Sequence, residues 1–186
     1  TGKANNFLSA LSEAAFMTGL ERNADVVHLA TYAPLFAHVD AWQWNPDLIW
    51  FDNLKVMRTP NYYVQQMYGM NAGTHVLSLL MNGQPVTGQD KLYATAALDQ
   101  NTGEVILKIV NAASEAAQTQ LNIAGLGKKR IVSGKQIYLH SDGLKTTNTM
   151  EYESIVPRVR PFTISGKEIE LDLPAYSFTV YRLQIR

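Results

Sequence analysis

Cysteine is missing from the 186 residues, which excludes disulfides, thiolate metal sites and cysteine nucleophiles. A charge of one sign is missing too. Sixteen Lys+Arg balance sixteen Asp+Glu, so no global field draws in nucleic acid or an anionic membrane. No apolar run reaches the roughly 18–20 residues that a membrane span needs. The first twenty residues make a poor signal peptide, because Lys3 is the only early positive charge and Glu13 interrupts the apolar stretch. P-loop, Gly-rich dinucleotide, Gly-x-Ser-x-Gly and His-Glu-x-x-His signatures are all lacking. His28, His38, His75 and His140 have no partner at ligand spacing and read as structural or surface residues. No metal and no cofactor is therefore expected, and neither a nucleic acid nor a membrane is an expected partner. The lack of cysteine leaves the compartment unknown, with a periplasmic or extracellular location only slightly favoured over a cytoplasmic one. The first residue is Thr1 rather than methionine, so the chain is expected to have been processed or cut from something longer.

What is present supports a folded core: 46% of residues are hydrophobic and 17% charged. The two ends differ in character. Residues 1–72 hold all three tryptophans and eleven of the eighteen aromatics. From residue 73 onward Val, Ile, Leu and Thr dominate, with regular turn signals. A boundary is expected near Asn71-Ala72-Gly73, dividing the chain into 1–72 and 73–186.

Residues 5–20 have apolar positions at helical spacing, with Asn5 or Asn6 available as the cap. Residues 24–33 read as a second, shorter helix stopped by Pro34, and residues 60–70 as a third that starts at Thr59-Pro60. Gly73 sits just past its end. Leu48-Ile49-Trp50-Phe51, behind Asn45-Pro46-Asp47, reads as a buried strand. Further strands are expected at 75–81, 91–98, 104–111, 117–123, 130–139, 150–156, 161–164, 168–173 and 176–185. Asn82-Gly83, Thr102-Gly103, Asp142-Gly143 and Ser165-Gly166 punctuate them. The fold class expected is mostly β: an antiparallel sandwich preceded by about three helices and a short strand.

Candidate site residues cluster in one loop. Trp42, Gln43, Trp44 and Asn45 place two indole faces and two amides within four residues, a composition suited to sugar rings and their hydroxyls. Packing of one or both rings as ordinary core is the alternative. Asp52 follows the strand at its C-terminal end, where barrel enzymes put functional groups; the alternative is that Asp52-Asn53 caps a turn. Asp47 reads as a turn residue. Tyr62, Tyr63 and Tyr68 read as a helix face, and Arg158-Val159-Arg160 as a solvated strand or local ion pairs.

The run SEAAFMTGLERNADVVHLATYAPLFAHVDAWQWNPDLIWFDN resembles the late barrel of α-L-arabinofuranosidases of glycoside hydrolase family 51, in the branch that includes plant enzymes. RTPNYYVQQMYGMNAG resembles the helix after that family's last barrel strand, and LPAYSFTVYRLQI its terminal sandwich strand. The resemblance implies the end of a (β/α)8 barrel over 1–72 and an all-β accessory domain over 73–186. It also implies a retaining hydrolase of terminal non-reducing α-L-arabinofuranosyl groups, acting on arabinose-containing polysaccharides and oligosaccharides. Such enzymes use two glutamates whose carboxyls lie about 5 Å apart. The family's acid/base sits in an Asn-Glu pair, which this chain lacks, and its nucleophile ends the strand before the first helix. Both are expected upstream of Thr1. No catalytic residue is carried over, and the fragment alone is expected to be inactive. Trp42, Gln43, Trp44, Asn45 and Asp52 are expected at the pocket rim. The alternatives are a non-catalytic carbohydrate-binding module or a purely structural one, either leaving room for a homo-oligomer.

Overall fold

A computed structural model describes residues 5–162, 164 and 169–186. The first helix, α1 (Phe7–Arg22), is capped by Asn6, whose side chain accepts from Ser9 N at 3.0 Å. Its first-turn donors do not face water: Phe7 N donates to Thr146 O and Leu8 N to Leu144 O. Phe7, Ala10, Leu11, Ala14 and Thr18 form its buried stripe.

The helix expected at 24–33 does not form. Asn23 closes α1 by donating its side-chain amide to Gly19 O at 2.7 Å, and Val26 N and Val27 N then turn back onto Asn23 O. Val27 to Tyr32 has no helical or strand assignment. Ten residues rich in β-branched and aromatic side chains make a marginal helix, and Pro34 holds its predecessor extended. A tertiary partner wins instead. Strand β1 (Phe36–His38) pairs in parallel with β2 (Ile49–Phe51), and that pairing starts already at Pro34, whose carbonyl accepts from Leu48 N. Strand β3 (Val56–Arg58) adds antiparallel to β2. Helix α2 (Pro60–Gly69) follows, capped by Thr59 Oγ1 with proline in its first turn, as expected.

The expected strand at 75–81 divides into β4 (His75–Leu77) and β5 (Leu80–Met81). The latter forms a hairpin with β6 (Gln84–Pro85) through Asn82-Gly83, both at positive φ. Next come β7 (Leu92–Asp99), β8 (Glu104–Asn111), β9 (Ala117–Leu121), β10 (Ile131–His140), β11 (Arg158–Phe162), β12 (Ile169–Leu173) and β13 (Ser177–Ile185). Six strands make an antiparallel sheet in the order β11-β10-β13-β8-β7-β4, and β12 pairs with β9 in a separate layer. The Ser165-Gly166 turn lies outside the described residues, as do positions 163 and 168 of the strands expected beside it.

The strand expected at 150–156 is irregular. Asn148 takes the place of a neighbouring strand: its side chain accepts from Ile155 N and donates to Ile155 O and Arg58 O, each at 2.9 Å. Ile155 is thereby buried without a ladder.

The centre of the large sheet is covered on both faces, which its sequence requires. Along β8 the residues alternate between two cores. Ile106 and Val110, with Phe178 and Val180 of β13, pack under α1 and α2. Val105, Leu107 and Ile109, with Tyr181 and Leu183, face β9 and β12. The helices thus lie on the outer face of the sandwich sheet, with Tyr68 stacked on Phe178 at 5.1 Å between ring centroids.

Candidate functional site

The candidate loop is built on β1 and β2. After β1 the chain reverses tightly, with Ala41 N donating to His38 O and Asp40 N to His38 Nδ1 at 3.2 Å. Trp42, Gln43, Trp44 and Asn45 all face solvent; Trp42 is 50% exposed and Trp44 70%. The Trp42 ring meets Trp50 edge-on at 5.9 Å. One indole is therefore braced by β2, whereas Trp44 is free to present a face. Neither ring packs as core, since both are half or more exposed.

Asp52 stands at the end of β2, where its Oδ1 accepts from Leu54 N at 2.7 Å and Lys55 N at 2.6 Å. Those two backbone donors hold its carboxyl below the usual range. It shapes the β2–β3 turn, about which Asp52 N also donates to Lys55 O.

The turn reading of Asp47 misses its environment. The residue is 2% exposed, and burial pushes its carboxyl above the usual range. Its backbone carbonyl accepts from Asn5 Nδ2 at 2.8 Å, and Tyr32 OH reaches Asn5 Oδ1 at 3.2 Å. Thr59 Oγ1 donates to Leu48 O at 2.7 Å, next along the chain. The base of the tryptophan loop is thus fixed by residues 27 and 42 positions apart in sequence. The pattern Asn-Pro-Asp carries no mark of that.

Three further carboxylates are tied to structural partners. Glu13 of α1 accepts from the side-chain amides of Asn61 and Gln65, yet burial still raises its pKa. Glu21 pairs with Lys108. Glu153 accepts from Tyr63 OH and from Arg58, through its backbone N at 2.9 Å and its Nε at 3.2 Å. Tyr63 and Tyr68 are buried in the helix face, as their spacing suggests. On the edge strand β11, Arg160 donates to Gln136 and lies over the Tyr138 ring at 5.0 Å.

Large apolar side chains on and beside this small sheet are left exposed: Phe36, Trp44, Leu54 and Val56, Leu54 at 93%. Exposed apolar side chains of this size on neighbouring strands are candidates for cover by a partner surface.

A family profile described as the α-L-arabinofuranosidase C-terminal domain matches residues 1–177. α-L-Arabinofuranosidase 1 of Arabidopsis thaliana is 31% identical over 98% of this chain, which spans 28% of that protein. An extracellular exo-α-L-arabinofuranosidase of Streptomyces chartreusis is 56% identical over 73 residues, 39% of this chain and 9% of that protein. An arabinose-bound family 51 α-L-arabinofuranosidase superposes with a TM-score of 0.84 at 31% identity, over 99% of this chain and 28% of that one. The Thermotoga maritima α-L-arabinofuranosidase, at 16% identity and a TM-score of 0.75 over 95% of this chain and 38% of its own, shares the fold. With nearly its whole length matched to that profile, the chain belongs to the α-L-arabinofuranosidase C-terminal domain family.

Proposed function

We propose that this chain is the C-terminal part of a retaining α-L-arabinofuranosidase that removes terminal non-reducing α-L-arabinofuranosyl groups from arabinose-containing polysaccharides and oligosaccharides. The observation that carries the reading is the family match over residues 1–177. Residues 1–72 supply the end of the catalytic barrel and residues 73–186 an accessory sandwich. The parallel pair β1–β2 supports this division, because parallel strands belong to barrels and not to meanders. So does the exposed apolar side around Phe36, Leu54 and Val56, which the remaining barrel would cover.

In this reading the catalytic glutamates lie upstream, and Trp42, Gln43, Trp44 and Asn45 form part of the pocket rim. Asp52 holds the adjoining turn. Purified 1–186 should not turn over 4-nitrophenyl α-L-arabinofuranoside, whereas the longer parent should. Turnover by the 186-residue chain would overturn the placement of the glutamates.

A second reading is favoured by the exposure of Trp44. The chain would then bind arabino-oligosaccharides by itself as a non-catalytic module. Titration calorimetry separates the two: binding by 1–186 that disappears in Trp42→Ala or Trp44→Ala supports the module. Sedimentation of 1–186 shows whether a second copy covers the apolar side instead.

A further inference from the structure

Between α1 and β1 the backbone is extended and unpaired. Val27 N still turns back onto Asn23 O, and Leu48 N donates to Pro34 O. From His28 to Ala33, neither a backbone N–H nor a backbone C=O meets a partner among the described residues. Residues 27–32 contain no turn or bend, so this is not a loop folded on itself. Val-His-Leu-Ala-Thr-Tyr-Ala is a composition suited to a strand. Its side chains are left in water: Leu29 is 82% exposed, and His28, Ala30, Thr31 and Ala33 are exposed too. Tyr32 alone is tied down, its hydroxyl donating to Asn5 Oδ1 at 3.2 Å. In an extended chain successive residues turn their N–H and C=O to opposite edges. A single neighbouring strand would pair only alternate residues of this run. With every residue from 28 to 33 unpaired, both edges stand open, and an open edge is a template for another strand.

The surroundings decide which neighbour fits. α1 leads into the segment through residues 23–26, the length of an ordinary connection from helix to strand. Val27, Leu29 and Ala30 share a groove with Met17 and Leu20 of α1 and Tyr68 of α2, so helices flank the segment. The chain then continues into the parallel pair of β1 on β2. A strand flanked by helices and continued by parallel pairing belongs to a parallel sheet, in which α1 is the crossover between two strands. We infer that residues 28–33 are a central strand whose two edges are taken by parallel strands from the part of the parent enzyme outside this chain. The inference rests on the arabinofuranosidase reading, in which this chain spans 28% of a relative's length. The pairing also positions the tryptophan loop. Pro34 and Leu35, next along the chain, accept from Leu48 N and Ile49 N. Strands docked on 28–33 therefore set where β1, β2 and the loop between them stand relative to the rest of the barrel.

The test is amide hydrogen exchange, read residue by residue in the 186-residue chain and in the parent enzyme. In the chain, amides 28–33 should exchange within about tenfold of an unstructured peptide. In the parent every one of them should slow at least about a thousandfold, as core strands do. Thr31→Pro removes one donor and does not fit a central strand. It should leave the urea midpoint of the chain unchanged and lower the folded-to-unfolded ratio of the parent by more than about a hundredfold. Free exchange at 28–33 in a parent that turns over arabinofuranosides overturns the inference and leaves the arabinofuranosidase reading standing. Protection of alternate amides alone overturns the two-sided pairing. Protection already present in the 186-residue chain, whether it sediments as a monomer or as a dimer, overturns the choice of partner. Full protection in a parent without arabinofuranosidase activity upholds the strand and sinks the enzymatic reading. The wild-type exchange decides the matter even if Thr31→Pro does not fold.

Discussion

The Lys108 ammonium of β8, fully buried, pairs with the Glu21 carboxylate of α1 and lies 5.3 Å from the centroid of the Tyr68 ring on α2. One strand residue thereby joins both helices to the sandwich. Burial lowers the Lys108 pKa, and the Glu21 charge works against that. Removing one partner alone strands the other. Glu21→Ala is expected to cost about 3 kcal/mol in urea unfolding, while Lys108→Met with Glu21→Leu should stay within about 1 kcal/mol of the parent chain. Equal losses in the single and double variants would show that the pair itself, and not the stranded charge, matters.

Alkaline pH attacks the cores on both faces of the sheet. Burial, ahead of any charge, raises the phenols of Tyr63, Tyr68 and Tyr181 above the ordinary 10.0; Glu153 adds to the first, Glu21 to the second and Asp172 to the third. A folded pKa above the unfolded one means that the contribution is complete below pH 10 and is lost as pH rises through the folded value. Lys108, lowered from 10.5, works in the opposite direction, but it is one amine against these three phenols and that of Tyr32, which burial also raises. Phenolate absorbance should therefore show these tyrosines ionising together with unfolding, in one cooperative step above pH 10. Gradual ionisation of all nine tyrosines around 10 in a chain that stays folded contradicts this.

Asn148 replaces a strand that the sequence suggests and the fold does not make. Asn148→Ala leaves Ile155 N, Ile155 O and Arg58 O without partners, so a loss of about 2–3 kcal/mol is expected. Asn148→Asp keeps the acceptor for Ile155 N but loses both donations and buries a charge. It should be no better than alanine at neutral pH and should improve on acidification. Denaturant midpoints at two pH values measure both effects.

Where the chain's own periodicity decides, the sequence is legible. The eight residues of β8 alternate so regularly between two apolar faces that 104–111 is readable to the residue, and Asn6 and Thr59 announce their helices through ordinary caps. Legibility fails where a distant partner decides. Residues 24–33 carry an apolar pattern compatible with a helix, but Leu48 and Ile49 recruit Pro34 and Leu35 into strand pairing. Asp47 looks like a turn residue because its neighbours Asn5 and Tyr32 come from elsewhere in the sequence. In the candidate loop the residue types were readable. Which tryptophan is braced was not, since that depends on Trp50 across the turn.

Trp44 is expected to matter for ligand and not for stability. Its ring is largely in water, so Trp44→Ala should change the unfolding free energy by less than about 0.5 kcal/mol. In the parent enzyme the same change should raise KM for arabino-oligosaccharides roughly tenfold, the loss of one stacking contact worth about 1.4 kcal/mol. Trp50→Ala serves as the contrast, because that ring sits in β2 and braces Trp42. It should lower stability as well. A Trp44→Ala enzyme with unchanged KM would remove this ring from the rim.

Gly73 tests how the segment after α2 reaches the sheet. The sequence suggests a helix C-cap, yet α2 ends at Gly69 with Met70 as its cap, and the Asn71 side chain donates to Met67 O at 2.8 Å. The glycine is needed for close approach instead: an added Cβ would sit 2.5 Å from Ala97 Cβ and 3.0 Å from Leu98 O. Neighbouring Thr74 N donates to that same Leu98 O at 2.8 Å, so the backbone has little freedom to retreat. Gly73→Ala should cost about 1–3 kcal/mol through overpacking. Ala97→Gly alone should cost about 1 kcal/mol as a glycine within a strand. Combined, the two should be less harmful than their sum, because removing the Ala97 methyl makes room for the new one. The recovery should be partial, since the contact with Leu98 O remains. Strict additivity in a urea-unfolding cycle would mean that the Ala97 contact is not what Gly73 avoids.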